Sequence, residues 1–178
     1  AQALTHTGLG NAVPLDSLAH DAEGDDIFWT VAGATHGTAR LGTDGTSVVF
    51  TPDTNFSGDA DITLFADDGY TKGQPIHLVV HVSAAPVTAI HLVPVGDMET
   101  GQIVAIRTIV DFADQVGVDV SDDPTFIHLS AVPLDSVGVP GASAISVDDI
   151  RDIVAAIGTG PALILASHTD ANGHTVRA

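Results

Sequence analysis

Asp61-Ile62-Thr63-Leu64-Phe65-Ala66 and Ile76-His77-Leu78-Val79-Val80-His81-Val82 are the stretches that decide how this chain folds. In the first, Ile62, Leu64 and Ala66 fall on one side of an extended backbone, and Asp61, Thr63 and Phe65 on the other. In the second, Ile76, Leu78, Val80 and Val82 share a side. Successive side chains of a strand point to opposite faces, so alternation with one apolar side marks a half-buried strand. Between the two stands Asp67-Asp68-Gly69, residues that favour a turn. Further out, Thr46 to Pro52 reads as a strand after the turn Asp44-Gly45, and Leu129 to Val132 and Ala162 to Ser167 read as strands. Glu23-Gly24-Asp25 and Asp170-Ala171-Asn172-Gly173 mark other turns. Short strands with regular turns predict an all-β chain built of β-sandwiches.

Composition sets the limits of function. Of the 178 residues 44% are hydrophobic and 4% aromatic, so a core forms and is made of Val, Ile, Leu and Ala. Lys and Arg number 5 against 23 Asp and Glu, a formal charge of -18. Arg40, Lys72, Arg107, Arg151 and Arg177 cannot assemble a basic face, which excludes nucleic acid and an anionic membrane surface as partners. Cysteine is absent, which excludes disulfides, thiolate metal sites and cysteine nucleophiles. The longest apolar stretch, Ile153 to Ala166, is broken by Gly158, Gly160 and Pro161 and is shorter than the ~20 residues of a membrane span. No signal peptide is read at Ala1, which points to an intracellular protein or to a mature or excised piece of a longer one. Among the acids only Glu23 and Glu99 are glutamate. Aspartate suits turns and hard-cation sites, so the composition points to acidic loops with calcium as the candidate cofactor; salt adaptation or plain solubility is the alternative.

Ser83-Ala84-Ala85-Pro86 follows a finished strand and precedes a new apolar run from Val87. This predicts two β-sandwich domains in tandem, residues 1–85 and 86–178, standing end to end. One segment resists the pattern. Ser146 to Ile157 has Ser146 as an N-cap candidate, Asp148 and Asp149 in a first turn, and apolar residues near helical spacing. Local pattern favours a helix there.

The first unit carries four motifs in order. They are Leu18-Ala19-His20-Asp21-Ala22-Glu23-Gly24-Asp25, His36-Gly37-Thr38, Thr51-Pro52-Asp53-Thr54-Asn55-Phe56-Ser57-Gly58, and Asp68-Gly69. Their order and spacing resemble the bacterial cadherin-like tandem-repeat domains of secreted adhesins. His20 stands where that family carries Asn, and Ile62 and Leu64 replace its aromatic pair. In the second unit Glu99-Thr100-Gly101-Gln102 before Ile103 to Val110, with a first strand at Ile90 to Val95, is similar to a bacterial Ig-like domain of group 2. So is the ending Ile157-Gly158-Thr159-Gly160-Pro161-Ala162-Leu163-Ile164-Leu165-Ala166. That alignment makes residues 149–156 turn and strand, not helix. Both resemblances imply Ig-like sandwiches, display on the outside of a bacterium, adhesion or spacing, and no catalysis. The partners they imply are neighbouring repeats, identical subunits, or a cell-surface or matrix ligand. An accessory module of a secreted enzyme is a further alternative.

Candidate chemistry centres on carboxylates. Asp21, Glu23, Asp25 and Asp26 can curl around a calcium ion, with Gly24 allowing the bend and Asp67 and Asp68 joining from another loop. The other reading is an acidic turn whose side chains bond local backbone N–H groups. Asp119, Asp122 and Asp123 form a second acidic loop with the same two readings, and Asp114 lies nearby. Asp59 and Asp61 share one strand face and either hold an ion or keep that face wet. His77 and His81 lie four apart on a strand, hence ~13 Å apart, too far to chelate one metal. No Gly-x-Ser-x-Gly elbow or phosphate-cradling loop occurs, which argues against an enzyme. At the ends, Leu4 in an alternating N-terminal run and His174 and Val176 in a short last strand suggest self-association by strand addition, building a filament or surface layer.

Overall fold

The computed structural model describes every residue except 1, 22–23, 71–72, 94–95, 122, 124, 134–144, 149–152 and 159. Among the described residues all regular elements are strands. The chain divides into two compact units, Ala1–Ala84 and Ala85–Ala178.

The described residues of unit 1 form seven strands: β1 (Gln2–His6), β2 (Asn11–Pro14), β3 (Phe28–Ala34), β4 (Gly37–Leu41), β5 (Ser47–Pro52), β6 (Gly58–Asp67) and β7 (Ile76–Ser83). One sheet runs β1-β7-β6-β3 and the other β2-β5-β4. The alternating stretches at 61–66 and 76–82 are β6 and β7, paired antiparallel with Ile62 opposite Leu78 and Ala60 opposite Val80. Their apolar sides meet Val48 and Phe50 from β5, and Leu15 and Trp29, in one buried core. Burial of each large apolar side chain there contributes about 1.5–3 kcal/mol.

The alternating N-terminal run forms β1, and a second strand, β2, follows it. β1 lies parallel to β7, with Leu4 opposite His81 and His6 opposite Ser83. β2 has crossed to the second sheet and pairs antiparallel with β5. The crossing is made at Gly8, whose φ of 79° suits glycine, and Asn11 Nδ2 holds it by donating to the Leu4 carbonyl at 2.8 Å.

Two of the sequence motifs are halves of a single contact. His36 sits at a φ of 55° between β3 and β4, and its ring stacks on Phe56 at 4.3 Å with the planes 5° apart. The Asp53 amide donates to the His36 carbonyl at 2.9 Å. Gly37 lies so close to the next strand that a Cβ there would meet the Thr51 carbonyl oxygen at 2.5 Å and the Phe50 ring at 2.7 Å.

The described residues of unit 2 form nine strands: β8 (Val87–Leu92), β9 (Ile103–Ala105), β10 (Thr108–Phe112), β11 (Val118–Asp119), β12 (His128–Pro133), β13 (Ile145–Asp148), β14 (Ile153–Ala156), β15 (Ala162–Thr169) and β16 (Thr175–Arg177). They form sheets ordered β11-β10-β8, β12-β15-β16 and β13-β14-β9. Val87, Ile90, Val110, Phe112, Phe126, Leu129, Val154 and Ala166 are among its buried apolar residues. The strand expected over Ile103 to Val110 is broken into β9 and β10, which belong to different sheets; Ile106, between them, is buried.

The helix favoured by local pattern at 146–157 does not form. β13 and β14 pair antiparallel there, with Val147 opposite Val154, and β14 bonds β9 on its other side. Bonds to neighbours on both sides, together with burial of Val154 and Ala156, outweigh a weak helical pattern rich in β-branched residues. Residues 149–152 of that segment lie outside the described residues.

Candidate functional site

The acidic loops cluster at one end of unit 1. Phe28 pairs with Asp67, which brings the loop before β3 and the loop after β6 to the same end of the sheet. A cleft of about 570 Å3 lies there, lined by Asp16, Asp21, Asp25, Asp26 and Asp44 beside Trp29.

Each of these turns is organised by a carboxylate. Asp21 Oδ1 accepts the amides of Gly24 at 2.7 Å and Asp25 at 2.9 Å, with Gly24 at a φ of 89°. Asp67 Oδ1 accepts Gly69 N–H, and Asp68 Oδ1 accepts Tyr70 N–H, both at 2.8 Å. Asp44 accepts the amides of Thr46 and Ser47, and the Ser47 hydroxyl donates to it as well. In unit 2, Asp119 Oδ1 accepts the Ser121 hydroxyl and amide, while its Oδ2 accepts Arg107 Nε at 2.8 Å. Asp123 Oδ1 accepts the amide and hydroxyl of Thr125. Aspartate bonding the backbone two residues on is a turn in itself.

These bonds are the ones expected of acidic turns, the other reading of the same loops. Calcium takes ~6–8 oxygens. Among the described residues no three His, Asp or Glu side chains converge to hold a metal ion. Glu23 and Asp122 lie outside the described residues.

Asp59 and Asp61 hold histidines across the β6–β7 ladder. His81 Nδ1 meets Asp59 Oδ1 at 2.7 Å, directly opposite in register, and His77 Nδ1 meets Asp61 Oδ1 diagonally at 2.8 Å. A third such pair joins His91 Nε2 to Asp111 Oδ2 at 2.9 Å between β8 and β10. Sequence reasoning missed all three, since spacing along one strand does not show which residue stands opposite. Asp170 Oδ1 accepts the amides of Asn172 and His174, forming the expected turn between β15 and β16.

Asp44, Asp111 and Asp119 are held below the ordinary aspartate range. Asp44 is lowered chiefly by the Thr46 amide, with Ser47 adding to it. Asp111 is lowered first by His91 and then by the Gly117 amide. Asp119 is lowered first by the Ser121 hydroxyl and then by Arg107. A depressed folded-state pKa contributes stability that is present above the unfolded value, ~3.9, and lost as pH falls through the folded one. Asp44→Asn is thus expected to be less stable than wild type at pH 7. The gap should narrow as pH falls below about 4. Urea midpoints of the two proteins measured from pH 7 to 2.5 check this.

At the termini, Leu4 lies in β1, already paired with β7, and Val176 lies in β16, already paired with β15 opposite His168. Among the described residues both are outer strands of their sheets, β1 in β1-β7-β6-β3 and β16 in β12-β15-β16.

The model of the bacterial Ig domain family matches residues 1–79. That is the unit whose motifs carry the cadherin-like resemblance. Among solved structures the chain is similar to the Yersinia pseudotuberculosis adhesin InvE, at 11% identity and TM-score 0.35, over 99% of this chain and 55% of that one. It is similar to an endo-fucoidan hydrolase of glycoside hydrolase family 107, at 14% identity and TM-score 0.38, over 99% of this chain and 27% of that one. A protocadherin gammaB7 fragment matches at 11% identity and TM-score 0.33, over 100% of this chain and 42% of that one. The chain thus spans about half, or less, of each of these structures. Curated protein sequences give no match.

Proposed function

We propose that the chain is a non-enzymatic structural or adhesive segment of a bacterial surface protein. The bacterial Ig domain match over residues 1–79 supports that class. One observation carries the mechanical part of the reading. The first and last strands of unit 1, β1 and β7, lie parallel and in register over five residue pairs. A pull on the start of β1 and the end of β7 drags parallel neighbours in opposite directions along their axes. All their hydrogen bonds are then loaded together instead of one after another. Such a unit holds its shape under tension, as a spacer or an adhesive arm must. Stretching single molecules by their ends tests this: unit 1 must resist and then yield in one step.

Calcium stiffening of the acidic end is a second reading, favoured by the five aspartates that line one cleft. Hydrogen bonds from their own turns already organise Asp21 and Asp44. The expected result is therefore that melting curves with calcium, with magnesium and with a chelator coincide at matched ionic strength. A rise in Tm specific to calcium, growing with its concentration, would establish the ion reading instead.

A further inference from the structure

Residues 53–57, between β5 and β6, stand apart from the acidic turns. Gly58 pairs with Val82 at one end of the sheet, whereas Phe28 pairs with Asp67 at the acidic end. Within the loop, Asn55-Phe56-Ser57 is an asparagine followed two places on by serine, with no proline between. That is the acceptor sequence for an N-linked glycan. Of the chain's asparagines, Asn11, Asn55 and Asn172, only Asn55 is so placed.

The geometry presents this sequence outward. Phe56 is partly buried: its ring stacks on His36, and its carbonyl accepts the Thr7 hydroxyl at 3.0 Å. Its amide donates to the Asp53 carbonyl at 3.1 Å. The middle of the loop is pinned in this way, while Asn55 and Ser57 on either side are exposed. Among the described residues, neither the Asn55 amide side chain nor the Ser57 hydroxyl is engaged in a hydrogen bond. Asn55 has a φ of 64°, and a turn there is reason enough for asparagine or glycine. The turn gives no reason for an exposed, unengaged serine two places on.

We propose that Asn55 is a site of N-linked glycosylation. Asn55 Nδ2 forms a bond to the anomeric carbon of an oligosaccharide carried on a lipid pyrophosphate. The bond from that carbon to the phosphate oxygen breaks, the lipid pyrophosphate departs with the electron pair, and Nδ2 gives up one proton. The glycan then stands at the end of unit 1 opposite the acidic turns. The inference shares with the surface reading only the need for an exported chain, and its test does not depend on export.

The purified, folded chain is incubated with a bacterial oligosaccharyltransferase and lipid-pyrophosphate-linked oligosaccharide, with a known acceptor peptide in the same tube. Mass spectrometry reads the tryptic peptide 41–72. The expected result is a gain of one oligosaccharide mass on that peptide, lost in Ser57→Ala and in Asn55→Gly. Glycine keeps the left-handed turn, so unchanged circular dichroism and Trp29 fluorescence in Asn55→Gly separate loss of the acceptor from loss of the fold. An unmodified peptide beside a fully modified control, or modification that persists in Asn55→Gly, would overturn the proposal.

Discussion

Phe50→Ala is expected to remove about 3–5 kcal/mol from the stability of unit 1. Phe50 is fully buried in β5, among Val48, Ile62, Leu64, Leu78 and Val80. In a chain with so few aromatics it is the largest fully buried side chain among the described residues. Truncation loses the transfer energy of the ring and leaves a cavity that paired strands cannot collapse to fill. Small domains carry only about 5–15 kcal/mol in total, so the loss takes a large part of what holds the unit. Trp29 is the chain's one tryptophan and lies in the same core, so its fluorescence follows unit 1 selectively in a urea titration. Phe28→Ala is the control. That ring is 62% exposed, and its removal should shift the midpoint by no more than about 0.5 kcal/mol. Equal effects from the two would mean that the core is not where these sheets place it.

Gly37→Ala is expected to cost about 1–3 kcal/mol, a large penalty for adding one methyl group. The backbone at Gly37 is not the difficulty; space is. An added Cβ would meet the Thr51 carbonyl oxygen at 2.5 Å and the Phe50 ring at 2.7 Å. The ring can shift at some cost, but the carbonyl belongs to β5, which is paired through this region with β4. Adding Phe50→Leu to Gly37→Ala should therefore relieve part of the penalty and leave the rest. Urea midpoints of the single and double variants measure that coupling. By contrast, Gly45→Ala meets no atom within 4 Å, and its cost comes from a φ of 71° alone. A neutral Gly37→Ala would show that β4 and β5 are further apart than described.

Much of unit 1 was legible because one rule applies to it without competition. Along β5, β6 and β7 alternate residues are apolar, and those residues, from Val48 to Val82, are the ones that become buried. The legible part ends where alternation continues through a change of partner. The alternation of the N-terminal run gives β1 but does not show β2, which joins the other sheet after the turn at Gly8. The run from Ile103 to Val110 hides a similar change at Ile106 and Arg107. Ser146 to Ile157 reads as helix locally because nothing in that window reports the strands that flank it.

The carboxylates divide in the same way. Asp21, Asp44, Asp67, Asp68 and Asp123 bond backbone groups two to four residues away, and such short-range roles are written in the sequence as Asp before Gly, Ser or Thr. The partners of Asp59, Asp61 and Asp111 are histidines 16 to 22 positions away, fixed by strand register. Exposed pairs of this kind contribute little stability each.

Stretching single molecules from one terminus to the other tests the central claim most directly. Two sandwiches in series, each with its own core, should give two separate unfolding steps. Each should lengthen the chain by roughly 250–300 Å, the extended reach of such a unit less its folded span. Extension in one combined step, or smooth lengthening without a force peak, would contradict the account.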